Sequence, residues 1–212
     1  MKALIIGATG ATGKDLVNLL LNDAGYVEVV IFVRRSTGII HPKLSEFLID
    51  FDKLDEVAGF ISGDILFLLL GTTMKEAGSK EKQRHVDYEI PLKFAMIASG
   101  NGIPKVVLLS AYGASTKSRI FYSKMKGELE EGIEKLTFSQ LIIFRPGLLL
   151  RKNTDRLGER ISASVLKVLN AIGFIRKFRP MPTSILADKL SKAPKVLSDG
   201  THIIALDKIF EL

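Results

Sequence analysis

Short apolar runs alternate along the chain with longer stretches of helical periodicity. The apolar runs predict seven β-strands, at Ala3–Ile6, Val27–Val33, Glu46–Ile49, Ile65–Leu70, Lys105–Leu109, Gln140–Phe144 and His202–Ala205. The periodic stretches predict helices at Lys14–Leu21, Lys80–Ser99, Ser123–Leu136 and Arg160–Lys177. Because most of these strands are continuously apolar, they are typical of a parallel sheet that is buried on both faces. We therefore expect an α/β fold, a Rossmann-like doubly wound parallel sheet with helices on both faces.

Two local features modify this outline. Pro91 falls inside the predicted helix Lys80–Ser99, which it should kink or split, because proline lacks the N–H that a helix interior needs. Arg151–Glu159 is the most polar stretch of the chain and predicts a surface loop that could cover a binding site. The length of 212 residues predicts a single domain, with residues 148–212 forming a small substrate-binding portion.

The composition narrows the class of protein. Hydrophobic residues make up 47% of the chain, which is enough for a buried core. The chain has no cysteine, so disulfides are excluded. The longest apolar run, Ile65–Leu70, is far shorter than the roughly 18 residues of a transmembrane helix. Since the first strand begins at residue 3, we expect neither a membrane span nor a signal peptide, and we predict a cytoplasmic protein.

The distribution of charged residues and histidines argues against a nucleic-acid-binding surface and against a metal site. The net charge is +7, but basic and acidic residues are interleaved along the chain, so nucleic-acid binding is not expected. The positive charge suits a ligand that carries several phosphates. The three histidines (His41, His85 and His202) are far apart in the sequence and lack ligand spacing, so we expect no metal site.

Glycines spaced by three follow the first predicted strand directly. Gly7, Gly10 and Gly13 lead into the first predicted helix, and this strand–turn–helix order is suited to a nucleotide pyrophosphate. The alternative is a turn with a structural role only. The residues predicted to bind the cofactor here are those of the turn and the helix start: Gly7, Thr9, Gly10, Ala11, Thr12 and Gly13.

The end of the second predicted strand indicates which nicotinamide cofactor is preferred. Binding of NAD favours an acidic residue near this point, but Val33 is followed by Arg34 and Arg35. A guanidinium can clamp the additional 2′-phosphate of NADP with paired hydrogen bonds. We therefore predict that NADP(H) is preferred over NAD(H), the alternative being a solvated strand end with no role in binding.

Two further strand ends are predicted to contact the cofactor. Asp50 and Phe51 follow the third strand, near the expected adenine position. Gly71, Thr72 and Thr73 follow the fourth strand, at the edge where open parallel sheets bind ligands. Since both predictions depend on position in the fold, a purely structural role is the alternative for each.

A serine, a tyrosine and a lysine form the predicted catalytic group. Tyr122 and Lys126 are four residues apart and share one face of a predicted helix, and Ser110 closes the fifth strand. A lysine ammonium favours ionisation of a neighbouring phenol and can also hold the nicotinamide ribose. A serine hydroxyl can hold the substrate oxygen on which negative charge develops. Tyr122 would then deliver a proton while the nicotinamide delivers a hydride to a carbonyl carbon.

Together, the glycine turn, Ser110, Tyr122 and Lys126 resemble the short-chain dehydrogenase/reductase superfamily, of its extended or atypical type. More narrowly, Leu70–Thr73, Leu108–Ser110, Lys126–Glu128 and Phe144–Gly147 resemble segments of the Tat-interacting-protein (CC3-like) oxidoreductases. This resemblance implies an NAD(P)-binding domain over residues 1–212 that binds NADPH through its glycine turn. It also implies that Pro146 and Gly147 lie near the nicotinamide amide.

The chain departs from the resemblance in one place. Many relatives have an asparagine of the proton relay in the helix after the fourth strand, whereas residues 82–100 contain none. Asp87 or an ordered water would have to replace it, or turnover would be slow.

Three functions are consistent with these residues. The first is an NADPH-dependent oxidoreductase that reduces a carbonyl or a similar small group. The second is an NADPH-sensing regulatory or scaffold protein with little or no turnover. A nucleotide-sugar epimerase or dehydratase is the weaker third hypothesis, because the segment after Leu150 is short. The identity of the small-molecule substrate, and whether a homodimer or another protein partner forms, are left open.

Overall fold

The structure, a computed structural model, describes residues 1–150 and 178–212. Seven strands form one parallel sheet in the order β3-β2-β1-β4-β5-β6-β9, and β7 and β8 form a separate parallel pair. The strands are β1 (Lys2–Ile6), β2 (Glu28–Val33), β3 (Leu44–Leu48), β4 (Ile65–Leu68), β5 (Lys105–Leu109), β6 (Gln140–Arg145), β7 (Leu149–Leu150), β8 (Met181–Pro182) and β9 (Gly200–Ala205). The predicted Rossmann-like parallel sheet is confirmed.

Helices connect the strands on both faces of this sheet. The α-helices are α1 (Ala11–Asn22), α2 (Met74–Ala77), α3 (Lys80–Arg84), α4 (Ile90–Gly100), α5 (Phe121–Glu134), α6 (Thr183–Val196) and α7 (Lys208–Glu211). A 3-10 stretch covers Phe51–Phe60 and a π-helical stretch covers His85–Glu89. The sequence did not predict α6, whose last turn contains Pro194. The predicted loop Arg151–Glu159 and the predicted helix Arg160–Lys177 lie outside the described residues.

The predicted disturbance at Pro91 takes the form of the π-helical turn that precedes it. The N–H of Ile90 donates to the carbonyl oxygen of His85, five residues back rather than four. Pro91 is the second residue of α4, within the first turn, where its missing N–H is tolerated. This wider turn carries Asp87, which is completely buried.

The two faces of the sheet each have their own core. Along β1, Ala3 and Ile5 belong to the core under α1, α6 and α7, whereas Leu4 and Ile6 belong to the core under α4 and α5. All four side chains are fully buried. Full burial of a Leu or Ile side chain contributes roughly 1.5–3 kcal/mol, so a sheet apolar on both faces is stable only when both are covered.

Strand β1 lies at the point where the order of the sheet reverses. The chain passes from β1 to β2 and β3 on one side, and then returns to place β4 on the other side of β1. The connections after β1 and β4 therefore run in opposite directions, which opens a crevice at the carboxyl ends of these strands. The predicted site residues follow the strands at this same edge.

Candidate active site

A cleft of about 570 Å³ lies at the carboxyl ends of β1, β4 and β5. It brings together the predicted catalytic residues and half of the predicted cofactor residues. Its walls include Gly10, Ala11, Thr12, Gly13, Gly71, Thr72, Thr73, Ser110, Tyr122 and Lys126. Leu149 and Thr183, which flank the β7–β8 pair, complete the wall on the side of the C-terminal portion.

The glycine turn is shaped by close packing against the protein's own backbone. Gly7 has a φ of +85°, and a Cβ at this position would lie 2.5 Å from the carbonyl carbon of Leu69. A Cβ on Gly13 would lie 2.1 Å from the carbonyl oxygen of Gly7. These two glycines are therefore required by the approach of α1 to β1 and β4.

The start of α1 fits an anion. Gly10 is the N-cap of this helix, no side chain caps it, and no acidic residue occupies its first turn. The first N–H groups of a helix have no acceptor within the helix and carry partial positive charge. Since Ala11, Thr12 and Gly13 also line the cleft, these residues fit the pyrophosphate of a dinucleotide.

A second cavity, of about 480 Å³, lies on the side of the glycine turn that faces β2. Its walls include Thr9 and Lys14 together with Ser36 and Thr37 from the loop after β2. Arg34 and Arg35 begin this loop and are exposed. The structure therefore places both guanidiniums at the predicted strand end, although neither forms part of the cavity wall.

Besides Gly7, Arg34 and Arg35, four predicted cofactor residues lie outside the walls of these two cavities. The carboxylate of Asp50 accepts a 3.0 Å hydrogen bond from the N–H of Asp52 and so begins the 3-10 stretch. Phe51, only 8% exposed, packs in the core on the α4 side of the sheet. Pro146 and Gly147 follow β6, and the carbonyl oxygen of Pro146 accepts from the N–H of Tyr112 at 2.9 Å.

Ser110 is the most constrained member of the catalytic group. Its N–H donates to the carbonyl oxygen of Phe144 at 2.8 Å, which fixes the backbone at the end of β5. The side chain is only 5% exposed, and Oγ has no hydrogen-bond partner among the described residues. A buried hydroxyl of this kind is costly unless something else bonds to it, so Ser110 fits a ligand oxygen in the cleft.

Tyr122 and Lys126 are positioned by the packing of α5. Both project from the first two turns of this helix on one face, as their spacing predicts. The next residue, Gly127, lies so close to the loop before α5 that a Cβ would come within 2.4 Å of the carbonyl carbon of Ser115. The close contact between Gly127 and Ser115 therefore fixes the position of α5 relative to the loop that precedes it.

The buried carboxylate of Asp87 affects the pKa values of Lys126 and Tyr122. Burial raises the pKa of Asp87, and the nearby Lys126 ammonium opposes the rise. Burial lowers the pKa of Lys126, and the negative charges of Asp87 and Glu130 oppose that fall. The two groups therefore stabilise each other's charged forms.

The pKa of Tyr122 differs from the sequence prediction. Lys126 was expected to lower it, but partial burial, followed by the charge of Asp87, raises the pKa of Tyr122 to about 12. The physical reason is that loss of hydration disfavours the charged phenolate, and the negative charge of Asp87 disfavours it further. The phenol is therefore held in its protonated form, that of a proton donor.

The sequence also failed to identify three polar residues of the cleft, Glu76, Gln83 and Thr183. The carboxylate of Glu76 accepts from the N–H of Thr73 at 3.3 Å. Gln83 is buried, and its Nε2 donates to the carbonyl oxygen of Thr72 at 3.3 Å. Thr183 is buried as well, and its hydroxyl donates to the carboxylate of Asp15 at 2.7 Å. The signal for Gln83 was its spacing of four from Asp87, whereas nothing local marked Thr183.

Three relatives show where this chain belongs. Protein HTATIP2 of Rattus norvegicus is 38% identical over 160 residues, which cover 73% of this chain and 66% of that protein. Protein FMP52, mitochondrial, of Candida albicans is 34% identical over 174 residues, covering 78% and 75%. The Saccharomyces cerevisiae protein of the same name is 31% identical over 207 residues, covering 96% and 87%. The chain belongs to the HTATIP2/FMP52 family.

The HTATIP2/FMP52 relatives, together with the fold, identify the chain as an atypical member of the short-chain dehydrogenase/reductase superfamily. No protein-family model matches the sequence. The prediction of a cytoplasmic protein is wrong, because the fungal members of the family are named mitochondrial. Within residues 1–150 and 178–212, every helix is too short or too polar to cross a bilayer.

Solved structures agree with the family at the level of the fold. MoeE5 in complex with UDP-glucose and NAD has a TM-score of 0.73 at 15% identity, covering 97% of this chain and 76% of that one. A short-chain dehydrogenase/reductase superfamily protein from Agrobacterium tumefaciens, with bound NAD, also has a TM-score of 0.73 at 15% identity, covering 97% and 77%. At these identities the likeness shows the fold alone.

Proposed function

We propose that this member of the HTATIP2/FMP52 family is an NADPH-dependent oxidoreductase that reduces a carbonyl or a similar small group. The observation that carries the proposal is the buried Oγ of Ser110, which has no partner among the described residues and faces the cleft shared with Tyr122 and Lys126. An oxygen-binding group, a proton donor and a cation in one cleft are the parts that carbonyl reduction requires.

Each residue of the group has a separate role. Ser110 donates a hydrogen bond to the substrate oxygen and holds it where negative charge develops. Tyr122, whose high pKa keeps it protonated, transfers its proton to that oxygen. Lys126 holds the nicotinamide ribose and balances the negative charge that remains on Tyr122. The reduced nicotinamide, when bound, supplies the hydride.

The preference for NADPH rests on the two exposed guanidiniums after β2. Arg34 and Arg35 show no ion pair with a described acidic residue, so their charges are available to a 2′-phosphate. Guanidinium groups bind phosphate with paired, charge-assisted hydrogen bonds. A dissociation constant for NADH equal to or below that for NADPH would contradict this part of the proposal.

The C-terminal portion is proposed to complete the substrate side of one domain spanning residues 1–212. Leu149 and Thr183 line the cleft. Leu149 belongs to β7 and Thr183 directly follows β8, and these two short strands pair with each other. Because α6 packs beneath the main sheet, this portion shares the core of the NAD(P)-binding part.

Substitution of Tyr122 by Phe tests the proposed reaction. Turnover of a carbonyl panel with NADPH should fall by about 10²–10⁴-fold, since the proton donor is lost. The dissociation constant for NADPH should stay within about twofold, because the glycine turn is untouched. Tyr88→Phe is the matched control, since Tyr88 carries the same group but stacks against Arg84. Equal turnover by wild type and Tyr122→Phe would refute the mechanism.

A second function, NADPH sensing without turnover, is favoured by one observation. The charge of Asp87 contributes to the high pKa of Tyr122, which makes the phenolate costly after proton transfer. In a sensor, Tyr122→Phe would change neither NADPH affinity nor the conformational response to it. Wild-type turnover on the panel therefore separates the two functions.

A further inference from the structure

Glu46 holds the loop that follows Arg35. One oxygen of its carboxylate, Oε2, accepts from the N–H of Thr37 at 2.9 Å and from the hydroxyl of Thr37 at 2.6 Å. The Ser36 hydroxyl, which contributes most, and the two donors of Thr37 together lower the pKa of Glu46. The carboxylate is therefore negatively charged at neutral pH and hydrogen-bonded to this loop.

The position of Glu46 in the sheet is fixed. It lies on β3, in register with Ile31 of β2, so its backbone belongs to the parallel ladder. Ser36 and Thr37, in contrast, belong to a segment without regular secondary structure. Within the described chain, the hydrogen bonds that tie residues 36–40 to another element all end on Glu46.

The remaining bonds of the loop are internal. The N–H of Gly38, which has a φ of +69°, donates to Ser36 Oγ at 3.2 Å. The N–H of Ile39 donates to Thr37 Oγ1 at 3.3 Å. These contacts shape a tight turn but do not place it relative to the sheet, so the placement depends on Glu46.

Ser36 and Thr37 form one wall of the second cavity, beside Thr9 and Lys14 of the glycine turn and α1. Glu46 is not part of that wall, although it contacts a residue that is. Its carboxylate therefore affects the cavity only through its hydrogen bonds to Thr37. The same loop begins with Arg34 and Arg35, the proposed binding groups for the 2′-phosphate.

We propose that Glu46 is a positioning residue that sets the preference for a 2′-phosphorylated adenosine by fixing the loop from Arg34 to Thr37. The proposal rests on the NADPH preference proposed above and extends it to a residue that does not contact the cofactor. A fixed loop loses little conformational freedom when it binds the phosphate, whereas a loose loop must be ordered at the expense of affinity. The 5′-phosphate, which binds at the glycine turn, does not depend on this loop.

The negative charge of Glu46 could have the opposite effect on binding of the 2′-phosphate, and the two effects can be separated by substitution. If its negative charge acted mainly by repelling the 2′-phosphate, removal of the charge would tighten binding. The positioning role depends instead on a hydrogen-bond acceptor at the correct distance. Glu46→Gln keeps an acceptor and removes the charge, whereas Glu46→Asp keeps the charge and withdraws the acceptor by one methylene.

The experiment is a calorimetric titration with adenosine 2′,5′-bisphosphate and with 5′-AMP. Glu46→Ala and Glu46→Asp should each weaken binding of the bisphosphate by about five- to tenfold and change that of AMP by less than about twofold. Glu46→Gln should stay within about twofold of wild type for both ligands. Glu28→Ala is the matched control, because Glu28 lies at the start of β2, accepts from Ser45 of β3 at 3.0 Å and pairs with Lys2 rather than with the loop after β2.

Four outcomes would overturn the proposal. One is tighter binding of the bisphosphate by Glu46→Gln, which would assign Glu46 a repulsive role. Another is an equal loss for both ligands in Glu46→Asp, which would indicate general damage to the fold. The third is a wild type that does not favour the bisphosphate, which would refute the proposed NADPH preference itself. Discrimination that is unchanged in Glu46→Ala and Glu46→Asp would refute only the role of Glu46.

Discussion

The backbone N–H of Thr72 donates a 2.7 Å hydrogen bond to Oδ1 of Asp87. This bond joins the segment after β4 to the π-helical turn before α4. The other oxygen of Asp87, Oδ2, is buried and has no hydrogen-bond partner among the described residues. A carboxylate is thus held between the cofactor side of the cleft and Lys126, where its charge acts on Tyr122.

Substitution of Asp87 by Asn should lower the pKa of Tyr122 from about 12 toward its usual value, because the nearby negative charge is removed. The pKa of Lys126 should fall as well, since Asp87 opposes its deprotonation. Both changes move the alkaline loss of carbonyl reduction to lower pH. The measurements are the pH–rate profile and an ultraviolet titration of the tyrosines against Tyr122→Phe.

The Asn side chain preserves an acceptor for the N–H of Thr72, so the fold should be kept. Asp55→Asn is a suitable control, because Asp55 lies on the surface and pairs with Lys93. An alkaline limb that stays in place in Asp87→Asn would show that Asp87 does not control the charge of the proton donor.

Gly13→Ala should destabilise the fold by about 1–3 kcal/mol or more, through overpacking of backbone against backbone. The added Cβ would lie 2.1 Å from the carbonyl oxygen of Gly7, where no flexible side chain can move aside. Gly59→Ala is the control, because no atom lies within 4 Å of its added Cβ. Urea denaturation measures both, and equal stability of the two variants would contradict the assigned packing role of Gly13.

The same contacts explain which features the sequence could predict. The strands were predictable because residues such as Leu4 and Ile5 are apolar on both faces, which only a doubly covered sheet allows. The glycine turn was predictable because its spacing reflects local backbone geometry. Ser110, Tyr122 and Lys126 were found from strand order and helical spacing, and all three line one cleft.

Features that depend on partners distant in sequence were not predictable. The high pKa of Tyr122 depends on its burial and on the charge of Asp87, which lies on the π-helical turn. The packing of Phe51 in the core on the α4 side depends on residues far along the chain, whereas its place near the adenine stays a prediction. Glu46 resembled an ordinary strand residue, and only its contact with Thr37 shows its connection to the cofactor edge.

His85 should make stability depend on pH near neutrality. Its Nδ1 lies 2.9 Å from Glu89 and its Nε2 lies 2.6 Å from Asp52 on the 3-10 stretch. The bond to Glu89, with that to Asp52, raises the pKa of His85 despite some desolvation. Because the folded pKa exceeds the unfolded value of about 6.5, the stabilisation is complete below that pH. It is lost as pH rises through the folded pKa.

Thermal unfolding of wild type and His85→Gln across this pH range tests the prediction. The difference in Tm should be largest at acid pH, where the imidazolium bridges both carboxylates, and should shrink toward zero at alkaline pH. His202→Gln is the control, because the ring of His202 contacts a carbonyl oxygen, that of Ser198, at 2.8 Å. A Tm difference that does not change with pH would rule out a titrating bridge.

Glu130→Gln should destabilise the protein by roughly 3–5 kcal/mol, because it leaves the charge of Arg145 in a partly buried site without its partner. Arg145 binds both oxygens of Glu130, with Nε donating to Oε1 at 3.0 Å and Nη2 to Oε2. Replacing both residues by leucine should lower the free energy of unfolding by less than the sum for Glu130→Leu and Arg145→Leu, since no unpaired charge remains. Lys192→Ala, which breaks the exposed pair with Asp188, should cost less than about 1 kcal/mol. Denaturation of Glu130→Gln, Glu130→Leu, Arg145→Leu, the double leucine variant and Lys192→Ala measures these differences, and strict additivity of the two leucine changes would show that the pair is not coupled.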